Sequence, residues 1–434
     1  MYPSMSKTPL PPSSPRPNRA PKPANVVPSR FSPVLLLCGG GTGGHVYPAL
    51  AVASALPARW HAKRSRFPSV AGDAGAPDAP NADAAHRPAA AIGDGPSLVY
   101  VGSHGGMEQA IIAREGPLPF HAVRAAGVRG RSPIALLGSL ATLTLGVGDA
   151  LAVLRRTRPT AILGTGGYVC VPVFVAARLL GIPTLIYLPD IVPGWAVKVL
   201  SRLATGVACS FPPSVRFFNP RKTVVTGYPV RQELFTLRQH EGRQLFGLDD
   251  ALPVVVIYGG SRGARPINRA IAAILPELTA RAQVLHVCGR EGDETWLQAA
   301  AAKLPVDQQA RYHLHSYLAG TMGHALAAAD LAIARAGAST LAELPAVGLP
   351  AVLVPLTAVH QDDNARYLVD AGAALMVDND AMLGTGAPAD GPLWQAVRSL
   401  LDDPVRLQAM RTHSRALAVP DAAERLADAL LAFV

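Results

Sequence analysis

Residues 39–45 read Gly-Gly-Gly-Thr-Gly-Gly-His. A glycine run of this kind lets backbone N–H groups approach a ligand closely, and N–H groups at the start of a helix favour anions such as phosphate. His45 closes the run. With an ordinary pKa of about 6.5, an imidazole there can accept a hydroxyl proton at neutral pH, or it can act as a plain hydrogen-bonding group. Three further loops share this character: Gly164-Thr165-Gly166-Gly167-Tyr168, Gly259-Gly260-Ser261-Arg262-Gly263 and Ala334-Arg335-Ala336-Gly337-Ala338-Ser339-Thr340. Ser339 or Thr340 can cap a following helix that carries Glu343. A carboxylate one turn into that helix can accept hydrogen bonds from a ribose diol; it can equally serve only the helix dipole.

The first loop is formally Gly-x-Gly-x-x-Gly (Gly39, Gly41, Gly44). A dinucleotide fold wants an acid about 20 residues on, closing the second strand. Here the second strand comes about 55 residues later and ends Val101-Gly102-Ser103, with no acid. NAD is therefore disfavoured, and the Gly-Lys-Ser/Thr of a P-loop is missing as well.

Each loop needs a strand before it and a helix behind it. Val34–Cys38 is a short apolar run ending in glycine, the pattern of a buried parallel strand. A helix is expected at Pro48–Leu56 and a second strand from Ser97. Residues 57–96 between them are an Ala/Pro/Asp/Gly mixture with no aromatic after Phe67, and read as a mobile surface insertion. Strands follow at Ala161–Leu163, Thr184–Leu188 and Thr223–Val225, with a helix at Val171–Leu180. Pro253–Tyr258 opens a second series, continued by Val284–Val287, Leu331–Ala334 and Ala351–Val354. Two runs of strand–loop–helix units imply an α/β chain of two doubly wound, Rossmann-like domains. Their expected extents are 33–230 and 231–434, leaving open a return of the helices after about 393 to the first domain.

Residues 134–154 hold one charge, Asp149, and reach spanning length. Six Gly, Ser or Thr residues before Asp149 favour a packed helix instead. Arg124, Arg129 and Arg131 precede the segment, and Arg155, Arg156 and Arg158 follow it. Such flanks suit either an anionic lipid surface or a solvated rim around a core helix.

At 434 residues and 49% hydrophobic, the chain can bury sizeable cores, which excludes global disorder. Residues 1–32 contain nine prolines and five of the ten net positive charges, and read as a disordered basic tail without a secretory h-region. The remainder is only mildly basic, so the charge does not suggest a nucleic-acid protein. Cys38, Cys170, Cys209 and Cys288 lie far apart, which argues against a disulfide scaffold or a zinc ribbon.

GGGTGGHVYPALAVASAL, GTGGYVCVPVFVAARLLGIPTL, TGYPVR, GGSRGARPIN, RAGASTLAELPAVGLPAVLVP and HQDDNA occur in this order. Together they resemble the MurG family of N-acetylglucosaminyltransferases, over roughly residues 33–420. The resemblance implies a glycosyltransferase B fold with a cleft between two domains, and a hexosyltransferase that turns lipid I into lipid II in peptidoglycan synthesis. It implies UDP-N-acetylglucosamine as donor, a lipid-linked diphosphate as acceptor, inversion at the anomeric carbon, and no bound metal or other cofactor. The expected location is peripheral, on the cytoplasmic face of the cell membrane. Ser261, Gly337, Ala338, Ser339 and Thr340 would meet the donor diphosphate, Glu343 the ribose, and Arg231 the nucleotide portion. Gln361 and Asn364 would bind sugar hydroxyls. Thr42, Gly43 and Gly44 would face the acceptor diphosphate, with His45 as general base.

One stretch departs from the family. Tyr187-Leu188-Pro189-Asp190 stands where His-Glu-Gln-Asn is usual, so Asp190 replaces an asparagine that contacts substrate. Asp190 is thus expected to touch sugar hydroxyls or to act as a base, and a different acceptor is the alternative reading. A UDP-sugar-binding protein without turnover is a further one; the presence of His45, Glu343 and Gln361 argues against it.

Overall fold

The computed structural model describes residues 32–41, 43–65, 95–116, 118–126 and 133–434. The tail over 1–31, the stretch 66–94, Thr42, Arg129 and Arg131 lie outside the described residues.

The first domain is built on β1 (Val34–Cys38), β2 (Ser97–Ser103), β3 (Phe120–Val123), β4 (Ala161–Gly164), β5 (Thr184–Leu188), β6 (Gly206–Cys209) and β7 (Thr223–Val225). They form one parallel sheet in the order β3-β2-β1-β4-β5-β6-β7. The second domain carries β8 (Val254–Tyr258), β9 (Gln283–Val287), β10 (Tyr312–His315), β11 (Leu331–Ala334), β12 (Ala351–Leu353) and β13 (Ala374–Met376). Its parallel sheet runs β10-β9-β8-β11-β12-β13. Strands such as β4 and β8 are buried at every position because helices cover both faces, and this is why they read as unbroken apolar runs.

The strand order reverses between β1 and β4 in the first sheet, and between β8 and β11 in the second. Open α/β sheets bind ligands at such reversals, beyond the carboxyl ends of the strands. The four glycine-bearing loops follow β1, β4, β8 and β11, so all of them flank the two switch points.

Two boundaries differ from the sequence reading. The expected helix Pro48–Leu56 runs from Gly43 to Ser65 and takes in the start of the expected insertion. The cause is tertiary. The last helix, Ala422–Leu431, lies beside it, Arg59 pairs with Asp428, and the Lys63 ammonium donates to the carbonyls of Leu431 (2.6 Å) and Val434 (3.0 Å). That last helix also corrects the 231–434 domain extent. Leu426, Ala427, Leu430 and Leu431 are buried with Leu35, Leu37 and Val52 of the first domain. The helices Pro392–Leu401 and Pro404–Ala416 stay with the second sheet, where Leu393, Trp394, Val397 and Met410 are buried against Val255 and Ile333.

The apolar stretch around 134–154 lies in a helix spanning Pro133–Thr157. Its Ala150, Val153 and Leu154 are buried with Val173, Phe174 and Ala177 of the helix Cys170–Leu180. Among the described residues, no helix is long and apolar enough to cross a membrane. Arg124 is spent within the domain: its guanidinium grips both Asp149 oxygens, at 2.7 and 2.6 Å, and holds that carboxyl down to about 2. All four cysteines are buried and free.

Candidate active site

His45 stands in the first turn of the helix that follows β1. Its Nδ1 lies 2.9 Å from the carbonyl oxygen of Thr165, in the loop after β4. A carbonyl only accepts, so Nδ1 carries the proton and Nε2 keeps its lone pair. The Thr165 hydroxyl donates back to the His45 carbonyl at 2.6 Å, which fixes the loop against the helix start. Gly166 makes room for the ring: a Cβ there would stand 2.6 Å from Nδ1 and Cε1. Burial pushes the imidazole below its ordinary pKa of 6.5, while the Asp190 carboxylate draws it partly back.

Asp190 lies just past β5, within the electrostatic reach of His45. Burial pushes its carboxyl up; a hydrogen bond from Asn364 and the charge of His45 oppose that push. Asn364 comes from the second domain, on the helix Gln361–Asp370. Its amide nitrogen donates to Asp190 Oδ1 (2.9 Å) and to the Ala336 carbonyl (3.0 Å), and its oxygen accepts from the Ile191 N–H (3.1 Å). The side chain is buried, with both N–H groups and its oxygen engaged by protein. In this conformation Asn364 joins the two domains and holds Asp190. The same helix is gripped twice more from the first domain, by Arg216 on Asp363 (3.4 Å) and by the Phe211 ring against Tyr367 (centroids 5.2 Å apart). Gln361 opens that helix at the half-buried start, its Oε1 accepting from the Leu356 N–H at 3.0 Å.

The donor-side residues gather in the second domain. Ser261 is exposed on the loop after β8. Gly337, Ala338 and Ser339 lead from β11 into the helix Thr340–Val347. A Cβ on Gly260 would meet nothing within 4 Å, and one on Gly337 only the Thr340 hydroxyl at 3.8 Å, so backbone is open to a ligand on both sides of this switch point. Burial pushes the Glu343 carboxyl up, and the Arg231 charge and a hydrogen bond from Ser339 partly offset it. Arg231 itself pairs with Glu233 at 3.1 Å, on the segment that links the domains. Tyr228 of the same segment donates to the Gly44 carbonyl at 3.4 Å, so linker and first glycine loop touch. Gly43 and Gly44 occupy the first helical turn. Among the described residues, no group of three His, Cys, Asp or Glu side chains is placed to hold a metal ion.

Two supporting groups escaped the sequence reading. Glu108, on the helix Met107–Glu115, is fully buried beneath the first glycine loop. The missing acid at the end of the second strand is in fact five residues beyond Ser103, turned back on it. In the second domain Asn268 donates to the Cys288 carbonyl (2.9 Å) and to Asp293 (2.8 Å), and its oxygen lies 3.0 Å from His286 Nε2. Tyr312 completes the chain at 2.8 Å from His286 Nδ1. The asparagine ending GGSRGARPIN was visible as a motif letter, but a buried polar network needs the strands in register before its members can be matched.

Comparison with known proteins agrees with this geometry. Residues 92–209 match the glycosyltransferase family 28 N-terminal domain, and residues 254–426 match its C-terminal domain. The UDP-N-acetylglucosamine–N-acetylmuramyl-(pentapeptide) pyrophosphoryl-undecaprenol N-acetylglucosamine transferase of Roseiflexus sp. is 50% identical over 423 residues, covering 90% of this chain and 93% of that protein. The enzyme of the same name from Bacillus licheniformis is 34% identical, covering 91% and 97%. The crystal structure of MurG from Acinetobacter baumannii superposes with a TM-score of 0.68 at 27% identity, covering 92% of this chain and 99% of that one. A UDP-GlcNAc 2-epimerase from Neisseria meningitidis shares the fold alone, at 12% identity and a TM-score of 0.58. Two glycosyltransferase B halves, a base-like histidine at one switch point and an open helix start at the other thus meet in a chain that belongs to the MurG family within glycosyltransferase family 28.

Proposed function

We propose how this cleft performs the transfer that defines its family, moving N-acetylglucosamine from UDP-N-acetylglucosamine to the lipid-linked N-acetylmuramyl-pentapeptide diphosphate. The acceptor C4 hydroxyl approaches His45 Nε2. Its oxygen attacks the anomeric carbon of the donor, the bond from that carbon to the UDP oxygen breaks, and the configuration inverts. The hydroxyl proton passes to Nε2. The observation that carries this reading is the tautomer: Nδ1–H is held by the Thr165 carbonyl, so the lone pair sits on the free nitrogen. Burial keeps the ring neutral at neutral pH, and Asp190 stabilises the imidazolium that forms.

Negative charge develops on UDP as it leaves. Backbone N–H groups at the start of the helix Thr340–Val347 and the Arg231 guanidinium meet it. Ser261 and the Gly337–Thr340 segment line the diphosphate, Glu343 accepts from the ribose diol, and Gln361 reads a sugar hydroxyl. Gly43, Gly44 and Thr42 face the acceptor diphosphate. Asp190 acts on the base through its charge rather than on the sugar, which makes its exchange for the usual asparagine compatible with the family acceptor. Tyr187, at the family's histidine position, is buried and pairs with the Ser210 hydroxyl at 2.6 Å, away from any substrate.

The enzyme works as a peripheral protein on the cytoplasmic, anionic membrane surface. Leu145 is exposed on the Pro133–Thr157 helix itself, Leu179 on the helix Cys170–Leu180 packed against it and Trp195 on the next helix, with Arg155 and Arg158 at the end of the first. Purified protein should release UDP from UDP-N-acetylglucosamine only when a lipid I analogue is supplied, and should pellet with anionic vesicles at low salt. UDP release with a diacylglycerol acceptor, and none with lipid I, would overturn the acceptor; failure to pellet would remove the membrane surface.

A further inference from the structure

Glu108 has no part in the reaction as described, yet it is fully buried directly beneath the loop that carries His45. A buried carboxylate is costly unless hydrogen bonds satisfy it. Oε1 accepts from the Ser103 N–H at 2.7 Å and from the Ser103 hydroxyl at 2.5 Å. Oε2 accepts from the Gly41 N–H at 3.4 Å. Ser103 ends β2, whereas Gly41 lies in the middle of the glycine loop after β1. The carboxylate therefore ties the loop to the neighbouring strand.

Three glycines are shaped around it. A Cβ on Gly40 would stand 2.5 Å from Oε1, one on Gly106 within 2.4 Å of both oxygens, and one on Gly102 2.7 Å from Cγ. The loop is gripped from its other side by the loop after β4, where the Gly40 N–H donates to the Gly166 carbonyl at 3.3 Å and a Cβ on Gly167 would stand 2.3 Å from the Gly40 carbonyl. Gly41 itself faces open space, with nothing within 4 Å of its Cβ position. Residues 39–41 are thus clamped between Glu108 and the 166–167 loop, immediately before the helix start at Gly43 that carries His45.

We propose that Glu108 is a positioning residue for the acceptor side: by holding Gly41 it presets the N–H groups of Gly43 and Gly44 and the ring of His45 for the acceptor diphosphate. The inference rests on the acceptor being seated on that loop. Glu108→Gln is the selective test. One amide oxygen can still accept from Ser103, but the NH2 group then faces the Gly41 N–H, donor against donor. The acceptor KM, measured with a lipid I analogue, should rise roughly tenfold. The KM for UDP-N-acetylglucosamine should stay within about twofold, because the donor sits on the other domain. Hydrogen exchange of residues 39–45 should quicken in the same variant. Glu108→Ala, with UDP binding as the check on folding, should show the same split more strongly. Unchanged exchange in both variants, or an equal rise in both KM values, would overturn the role of Glu108. Faster exchange with both KM values unmoved would instead remove the acceptor from this loop, and with it the functional half of the inference.

Discussion

At the strand reversal between β1 and β4, the first domain packs backbone against backbone. A Cβ on Gly39 would stand 2.1 Å from the Thr165 hydroxyl and one on Gly167 2.3 Å from the Gly40 carbonyl, and the His45 ring is laid over Gly166. In the second domain the corresponding close packing is displaced by one strand. Gly263 and Gly289, after β8 and β9, stand against each other, with a Cβ on Gly263 only 2.1 Å from the Cys288 carbonyl. The reversal between β8 and β11 is left open at Gly260 and Gly337. One topology therefore yields a close-packed crevice that immobilises the His45 ring and an open one that leaves backbone exposed. The undersides differ too: the charged Glu108 supports the first, the Asn268–His286–Tyr312 chain the second. Burial pushes His286 down to about 3, so that network is neutral at the ring throughout the working range.

The strongest test of this division is His45→Ala. Turnover should fall about 10²- to 10⁴-fold, the usual worth of a general base. UDP affinity, measured by calorimetry, should barely change. A small loss of turnover would break the assignment of the base to the close-packed crevice.

A matched pair of glycine substitutions comes next. Gly166→Ala puts a Cβ 2.6 Å from the imidazole at a φ of +116°, and Gly263→Ala puts one 2.1 Å from a carbonyl at a φ of +87°. Each is strained by on the order of 1–3 kcal/mol. The first should lower kcat with donor KM little changed; the second should raise the UDP Kd. Equal effects of both on both constants would erase the distinction between the crevices.

Asn268→Ala strands buried partners on His286, Asp293 and Cys288. It should cost about 1–3 kcal/mol in urea unfolding, and it should weaken UDP binding more than acceptor binding. The smallest effect is expected from Asp190→Asn. His45 must be neutral to act, so activity falls as pH drops through its pKa, which already lies below 6.5. The Asp190 charge raises that pKa, so removing it should move the acid limb of kcat/KM to lower pH. A shift to higher pH would contradict the proposed influence of Asp190 on the base.

Much of this was written in local patterns. β1, β4 and β8 announce themselves as apolar runs stopped by glycine, because a strand covered on both faces has no polar side to show. The anion-binding loops and His45 were legible for a related reason: a backbone that must come close to a partner excludes side chains, and glycine records that exclusion. β3 and β6 are not legible in the same way: a histidine interrupts Phe120–Val123 and small residues make up half of Gly206–Cys209, so neither stands out as an apolar run.

The sequence by itself determined two nucleotide-type sheets, their switch-point loops and the residue types able to hold a diphosphate and take a proton. Tertiary structure alone decided three matters. It sent the last helix back across the cleft to Leu35 and Val52, because its apolar face needed the first domain to bury it. It joined Asn364 to Asp190 and Ile191 across the two domains, because a buried amide must satisfy both its donors and its oxygen. And it brought Glu108 under a loop almost seventy residues earlier, since a carboxylate finds its N–H donors by adjacency in space, and adjacency between neighbouring strands is not written in the order of the chain.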